Sequence, residues 1–355
     1  MVKIYAALQN SLACITQHGD DWLADLQLRD SEPQCIAVDP AHLERIYCGT
    51  NNHGLWYSID AGANWKHVET GITHRQIMSV AVSPLEQVHG YGVVYAGTEP
   101  SAIFRSEDGG VNWHELTTLL QLPSAPTWSF PPRPYTSHIR WITPDPVQAG
   151  RVFAAAEAGA LVRSLDGGQT WEDKKADGPF DTHTLIMHRL VPNRLYSAAG
   201  DGFMHPGNGF VQSDDGGDTW FRPDRGLQHH YLWSVAVDPA DPDTIIISAA
   251  HGPQEAHNPM RAESAIYRRT GHNDWQQISA GLPATHGLLA SVLATNEAEA
   301  GVFYAANNKG IFRSANAGLS WNELPIQWPA NMSPGERIHA LVIVPVYSAD
   351  ALDSR

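Results

Sequence analysis

The chain has 355 residues, with 38 Asp and Glu against 23 Lys and Arg, and its formal charge of -15 repels the phosphates of nucleic acid and the surface of an anionic membrane. No stretch approaches the roughly 20 consecutive apolar residues of a membrane-crossing helix. The three cysteines, Cys14, Cys35 and Cys48, lack CxxC spacing, which argues against a disulfide framework or a zinc ribbon and fits buried thiols in a reducing compartment.

The opening residues, MVKIYAALQNSLACITQHGDDW, alternate like a strand pair and contain no basic segment leading into an apolar run. No signal peptide is therefore expected, and the protein reads as cytoplasmic. Three strands are predicted there, in KIYAAL, LACIT and WLADLQL. The unit that follows is clearest in residues 76–118, where QIMSVAVSP, GVVYAGTEP, AIFRSEDGG and NWHELTT give four alternating runs separated by turn residues. Period-two patterning of this kind predicts four short antiparallel strands, A to D from the innermost outward.

A short box closes strand C in each unit: SIDAGANW at 58–65, SEDGGVNW at 106–113, SLDGGQTW at 164–171 and SDDGGDTW at 213–220. SANAGLSW at 314–321 carries Asn316 in place of the aspartate, and RTGHNDW and HGDDW are worn copies. The tryptophans, Trp22, Trp65, Trp113, Trp171, Trp220, Trp275 and Trp321, recur every 43 to 58 residues and count seven units. Such a period matches propeller blades, each of which buries its sheet faces only against two neighbours. A lone A-like strand, IHALVIVP at 338–345, ends the series. The fold class is therefore all-β: one seven-bladed propeller domain over 1–355, closed by pairing the C-terminal strand into a first blade built from 1–30 and 337–346.

The S-x-D-x-G-x-T-W box resembles the Asp-box, or BNR repeat, of sialidase-like propellers, and the likeness covers nearly the whole chain. The resemblance implies a fold rather than an activity, because similar repeats occur in assembly factors and sorting receptors. Asp166 is expected to accept backbone N–H groups of its turn, Gly167 and Gly168 to supply positive φ, and Trp171 to fill space between blades. The box is scaffold. The sialidases themselves are six-bladed, with an arginine triad and a Phe/Tyr-Arg-Ile-Pro segment; that tetrapeptide does not occur near this N-terminus, and Arg75, Arg140 and Arg189 do not repeat the triad's pattern.

Function is expected at the opposite mouth, where strand A begins and the B–C loops converge. Six of seven strand-A entries carry histidine: His74, His138, His183, His229 with His230, His286 and His339. Eighteen histidines are about twice ordinary usage. Imidazoles gathered about one axis suit a divalent transition metal, zinc, manganese or iron, with copper as an alternative. His138, His183, His230, His286 and His339 are the expected ligands. Glu157 lies in the otherwise apolar AAAEAGA loop, where a lone charge is costly, and is the preferred catalytic carboxylate; Glu99 and His74 are candidates for proton handling.

Two insertions belong to that rim. Residues 117–137 hold five prolines with Trp128, Phe130 and Tyr135 and are expected to roof the channel; residues 251–264 face them. Trp128, Tyr135, Arg140, Asp201 and His251 are the expected substrate contacts. The leading expectation is a metal-dependent hydrolase of a small, partly apolar ester, lactone or phosphoester, with no nucleic-acid or membrane partner. A His-ligated copper or iron oxidoreductase, a metal-free glycosidase using Glu157 and Asp201, and a non-catalytic binding or assembly propeller are the alternatives.

Overall fold

The computed structural model describes residues 2–329 and 335–346; residue 1 and the domain bound at 355 lie outside the described residues. Seven antiparallel sheets follow one another along the chain. The second blade shows the plan, with strands Pro33–Asp39, His42–Thr50, Leu55–Ser58 and Lys66–His67 in that spatial order. Ring closure is as the sequence predicts. Ile338–Pro345 pairs antiparallel with Val2–Leu8, matching Ile343 to Ile4 and Val342 to Tyr5. A fifth strand not anticipated, Ile326–Gln327, runs parallel to the outer edge at Trp22 and Leu23.

The fourth and fifth blades depart from the four-strand plan, each holding three strands. Only single bridges, Arg163 to Glu172 and Gln212 to Phe221, stand where an outer strand was expected. After the box of the fourth blade the chain carries Glu172 to Arg163, then leaves the sheet edge for the turn that brings Phe180 and Asp181 to the mouth.

Packing between blades is the core. Val93, Tyr95 and Ile103 of the third blade meet Val152, Ala154 and Val162 of the fourth. Likewise Val302, Tyr304 and Ile311 of the seventh meet Ile4, Ala13 and Ile15 of the first, so the closing seam is as apolar as any other blade contact. At about 25 cal/mol per Å² of apolar surface, this burial is the main stabilising term.

The boxes behave as scaffold. Ser164 Oγ donates to Asp166 Oδ1 at 2.9 Å and accepts from Gly168 N at 2.8 Å, while Asp166 Oδ1 accepts from Thr170 N at 2.8 Å. Gly168 sits at φ +90, and a Cβ there would stand 2.3 Å from Leu116 Cδ1. Asn316 keeps the pattern by accepting from Ser320 N at 3.0 Å, which explains why the aspartate is dispensable in that copy. The three thiols are free and buried, and burial pushes Cys14 and Cys35 up to about 12, so neither is a nucleophile at neutral pH.

Candidate active site

Four strand-A entries place an i, i+2 pair at the mouth: His138 with Arg140, Asp181 with His183, Tyr231 with Trp233, and Arg337 with His339. In each pair the second residue, Arg140, His183, Trp233 or His339, is left unpaired at a β-bulge, the local irregularity that re-aims side chains at a strand's entry. Seven of these eight residues line one cavity of about 730 Å³, and His183 lies fully buried beneath it. Glu157, from the tight turn after Val152–Ala156, completes the floor.

Glu157 and Glu99 bracket His138. The imidazole Nε2 is 2.7 Å from Glu157 Oε2, and Nδ1 is 3.3 Å from Glu99 Oε2. Arg133 grips Glu99 with both arms, Nε at 2.9 Å and Nη2 at 2.6 Å. Burial disfavours the Glu99 charge, but His138 and Arg133 outweigh it and hold the carboxyl at about 2. Burial likewise opposes charge on His138, and the two carboxylates overcome it, raising its pKa. His138 is thus hydrogen-bonded to Glu157 through Nε2 and faces Glu99 with Nδ1, which makes no hydrogen bond, so its ring serves the two carboxylates and lies outside the group of three side chains able to hold an ion.

The remaining oxygen of Glu157 takes part in a second arrangement. His183 Nδ1 donates to Leu232 O at 2.6 Å, which leaves the lone pair on Nε2. That atom is buried without a hydrogen-bond partner, 3.8 Å from Glu157 Oε1 and 3.7 Å from Asp181 Oδ2. Asp181 Oδ1 accepts from Ala158 N at 2.9 Å. Each of the three residues thus has one polar atom fixed from outside and one turned inward. The inward atoms lie within 4.8 Å of one another and form the one group of three or more such side chains, among the described residues, able to hold a metal ion. Burial raises the Asp181 pKa, with Glu157 and Asp201 adding to it, whereas His138 holds Glu157 well below the usual carboxylate range against its burial.

Asp201 lines the cavity, but its Oδ2 accepts from the Phe180 and Asp181 amides at 3.0 and 3.1 Å, so it positions Asp181. Across the cavity, Arg337 Nη2 donates to His257 Nδ1 at 3.1 Å, and His257 Nε2 is 3.1 Å from Tyr231 Oη. Burial and Arg337 keep His257 neutral, so its proton sits on Nε2, bonds the phenol oxygen and leaves the Tyr231 O–H free to donate.

Several expected contacts lie elsewhere. His230 accepts from Gly207 N at 3.3 Å, His286 is exposed beside Glu263, and neither lines the cavity, so the five histidines do not converge. His339 does line it, and burial with Arg337 and Arg140 holds its pKa at about 3. His74 is tied to Thr98 Oγ1 at 2.7 Å, outside the cavity, and His251 is exposed and stacked on His229 with centroids 4.2 Å apart. In the first insertion Trp128 is buried in blade packing with Nε1 on Ser124 Oγ at 3.0 Å, and Tyr135 is 85% exposed; Phe130 supplies the aromatic wall instead. Asp181, Tyr231, Trp233 and Arg337 were not among the expected residues, although the i, i+2 spacing at each strand entry marks them; His257 belongs to the 251–264 rim insertion but was assigned no role.

No protein-family model matches the chain, and no curated protein matches it. Among solved structures it is similar to the GH74 enzyme of Niastella koreensis, at 18% identity and TM-score 0.67, covering 90% of this chain and 52% of that one. The GH74 xyloglucanase from Xanthomonas campestris gives 16% identity, TM-score 0.66 and the same shares, so the chain spans about half the length of these enzymes. It is also similar to YCF48 bound to D1 peptide, at 15% identity and TM-score 0.58, covering 90% of this chain and 93% of that one. At these identities what is shared is the seven-bladed β-propeller itself, a ring common to glycosidases and to a peptide-bound propeller.

Proposed function

We propose that the protein is a hydrolase acting on a small molecule in the mouth cavity, with a divalent metal ion held by Glu157, Asp181 and His183. The carrying observation is the buried, unpartnered Nε2 of His183, aimed at two carboxylate oxygens while its other nitrogen is fixed by Leu232 O. An imidazole with two carboxylates suits zinc, manganese or iron(II). Such an ion supplies Lewis acidity and activates water. His138 fixes Glu157, Asp201 fixes Asp181, and the Tyr231 O–H stands ready to donate to a leaving oxygen.

Gly200 supports this reading. A Cβ at this position would stand 2.0 Å from Asp181 Oδ2 and 2.9 Å from His183 Cε1, so only glycine leaves the three inward atoms their geometry.

A metal-free glycosidase is the second reading, favoured by the likeness to GH74 enzymes and by two cavity carboxyls, Glu157 and Asp181, whose pKa values are driven in opposite directions. Metal analysis of protein purified without a histidine tag separates the two. The expected result is about one ion per chain, reduced at least tenfold in His183→Ala and in Gly200→Ala, with both variants folded. Protein that stays metal-free after incubation with zinc, manganese and iron(II) overturns the metal reading and leaves the glycosidase.

A further inference from the structure

Arg140, which is buried, and Arg337, which is half-buried, differ from other arginines drawn into the fold. Arg151 is paired with Asp145, Arg269 donates to Gln212 Oε1 at 2.9 Å, and Arg133 is bound to Glu99. Arg140 is 9% exposed yet donates to no acceptor among the described residues, and its nearest carboxylate oxygen, Glu157 Oε2, is 3.7 Å from Nε. Arg337 reaches His257 Nδ1 and no carboxylate among the described residues. Both guanidiniums lie over the Trp233 ring, 4.5 and 5.4 Å from its centroid, and both line the cavity. In a chain of net charge -15, two cations on one indole, with only Glu157 near Arg140 and that carboxylate already hydrogen-bonded to His138, are an anion clamp. Their mutual repulsion agrees with this: burial, then the charge of Arg140, brings Arg337 down to about 10.

Below the clamp the cavity continues into the propeller axis, a channel of about 340 Å³ walled by Ile36, Val80, Ile142, Val235, Leu341 and Ile343. Arg140, Trp233 and His339 border both spaces, so a molecule anchored at the clamp has an apolar recess directly beneath it.

We infer that the molecule bound here is a small carboxylic acid with an apolar tail, its carboxylate gripped by Arg140 and Arg337 against Trp233 and its tail in the axial channel. The inference deepens the hydrolase reading and rests on it for the bond that is broken, while the clamp uses atoms separate from the three metal-binding side chains. Planar guanidinium forks match a carboxylate, and the channel volume accepts a phenyl ring or a short alkyl chain.

The test is calorimetric titration of the full chain, in EDTA and again with zinc, using phenylacetate, hexanoate, their alcohols 2-phenylethanol and hexanol, and phenyl phosphate. The acids are expected to bind at least tenfold tighter than the alcohols in both conditions. Arg140→Gln and Arg337→Gln should erase that preference while leaving the alcohols unchanged, and Arg140→Lys should restore only part of it. Because a clamp variant could disturb the fold, Met78→Trp, which fills the junction of the two spaces, serves as a second probe. It should weaken hexanoate at least tenfold and spare acetate. Alcohols binding as tightly as acids, phenyl phosphate binding more tightly than phenylacetate, or acids keeping their affinity in both Arg→Gln variants each overturn the proposal. Acid preference in protein that never holds an ion removes the metal reading alone, and an ion held without acid preference removes the clamp alone.

Discussion

Glu99 shows how a single residue at the mouth is governed by its surroundings. It is 4% exposed, and its charge survives there because Arg133 takes both oxygens and His138 faces one of them. Its pKa falls from the ordinary 4.5 to about 2. A depressed acid stabilises the fold above its unfolded pKa and ceases to do so as pH drops through the folded one, so this contribution is complete above about 4.5 and disappears on the way to 2. Thermal melts across that window test it: wild type should lose its advantage over Glu99→Gln as the pH falls, and parallel curves would refute the assignment. The same scale explains what could be read beforehand. His138, His183, His339 and Arg140 stand out in the sequence because a charged or imidazole residue at an inner strand entry is unusual, and Glu157 because it is a lone charge in an apolar turn. Asp181, Tyr231, Trp233 and Arg337 sit two positions from a recognised residue or in the equivalent place of another blade, and the feature that marks them is the pair. His257 has no such mark, since a short helix, Pro253–His257, turns it inward.

Among the elements, the insertion at 117–137 departs most from expectation. Its prolines and aromatics suggest a roof, but composition does not reveal which ring turns toward the protein. Leu119, Leu122 and Trp128 enter the packing between the third and fourth blades, and Asp173 fastens the turn through Ser124 N at 2.8 Å and through Ser124 Oγ. Only after this anchor does the segment reach the mouth with Phe130, whose ring is 4.7 Å from that of His138. Trp128→Ala should therefore cost about 3–5 kcal/mol, as large-to-small core changes do. It should also free the segment for protease cleavage within 117–137. A urea midpoint equal to wild type would show that the tryptophan packs on the surface instead. The boxes were legible for the opposite reason: a turn that needs Ser, Asp or Asn, Gly and Trp at fixed offsets writes its geometry into the sequence.

For the whole molecule, seven tryptophans and one leftover strand were enough to predict the ring and its seam, because a blade with an open edge demands a partner. Ile343 opposes Ile4 in the closing pair and is 7% exposed in the contact between the seventh and first blades. Ile343→Asp buries a charge that the seam does not neutralise and should destabilise by several kcal/mol. It should also expose the edge of Val2–Leu8 and produce higher-mass species in light scattering; a monomer of unchanged stability would mean that the seam is held elsewhere. The cavity could not be read at this scale, since its residues come from positions 34 to 339 and meet only after closure.

Arg337 directly precedes the closing strand, whereas Arg140 belongs to the fourth blade. A molecule gripped by both is a chord across the ring, tying its midpoint to the place where it opens. Occupancy and closure are then thermodynamically linked: a filled site makes the ring harder to unzip from its C-terminal end, and a frayed seam lowers affinity by the same factor.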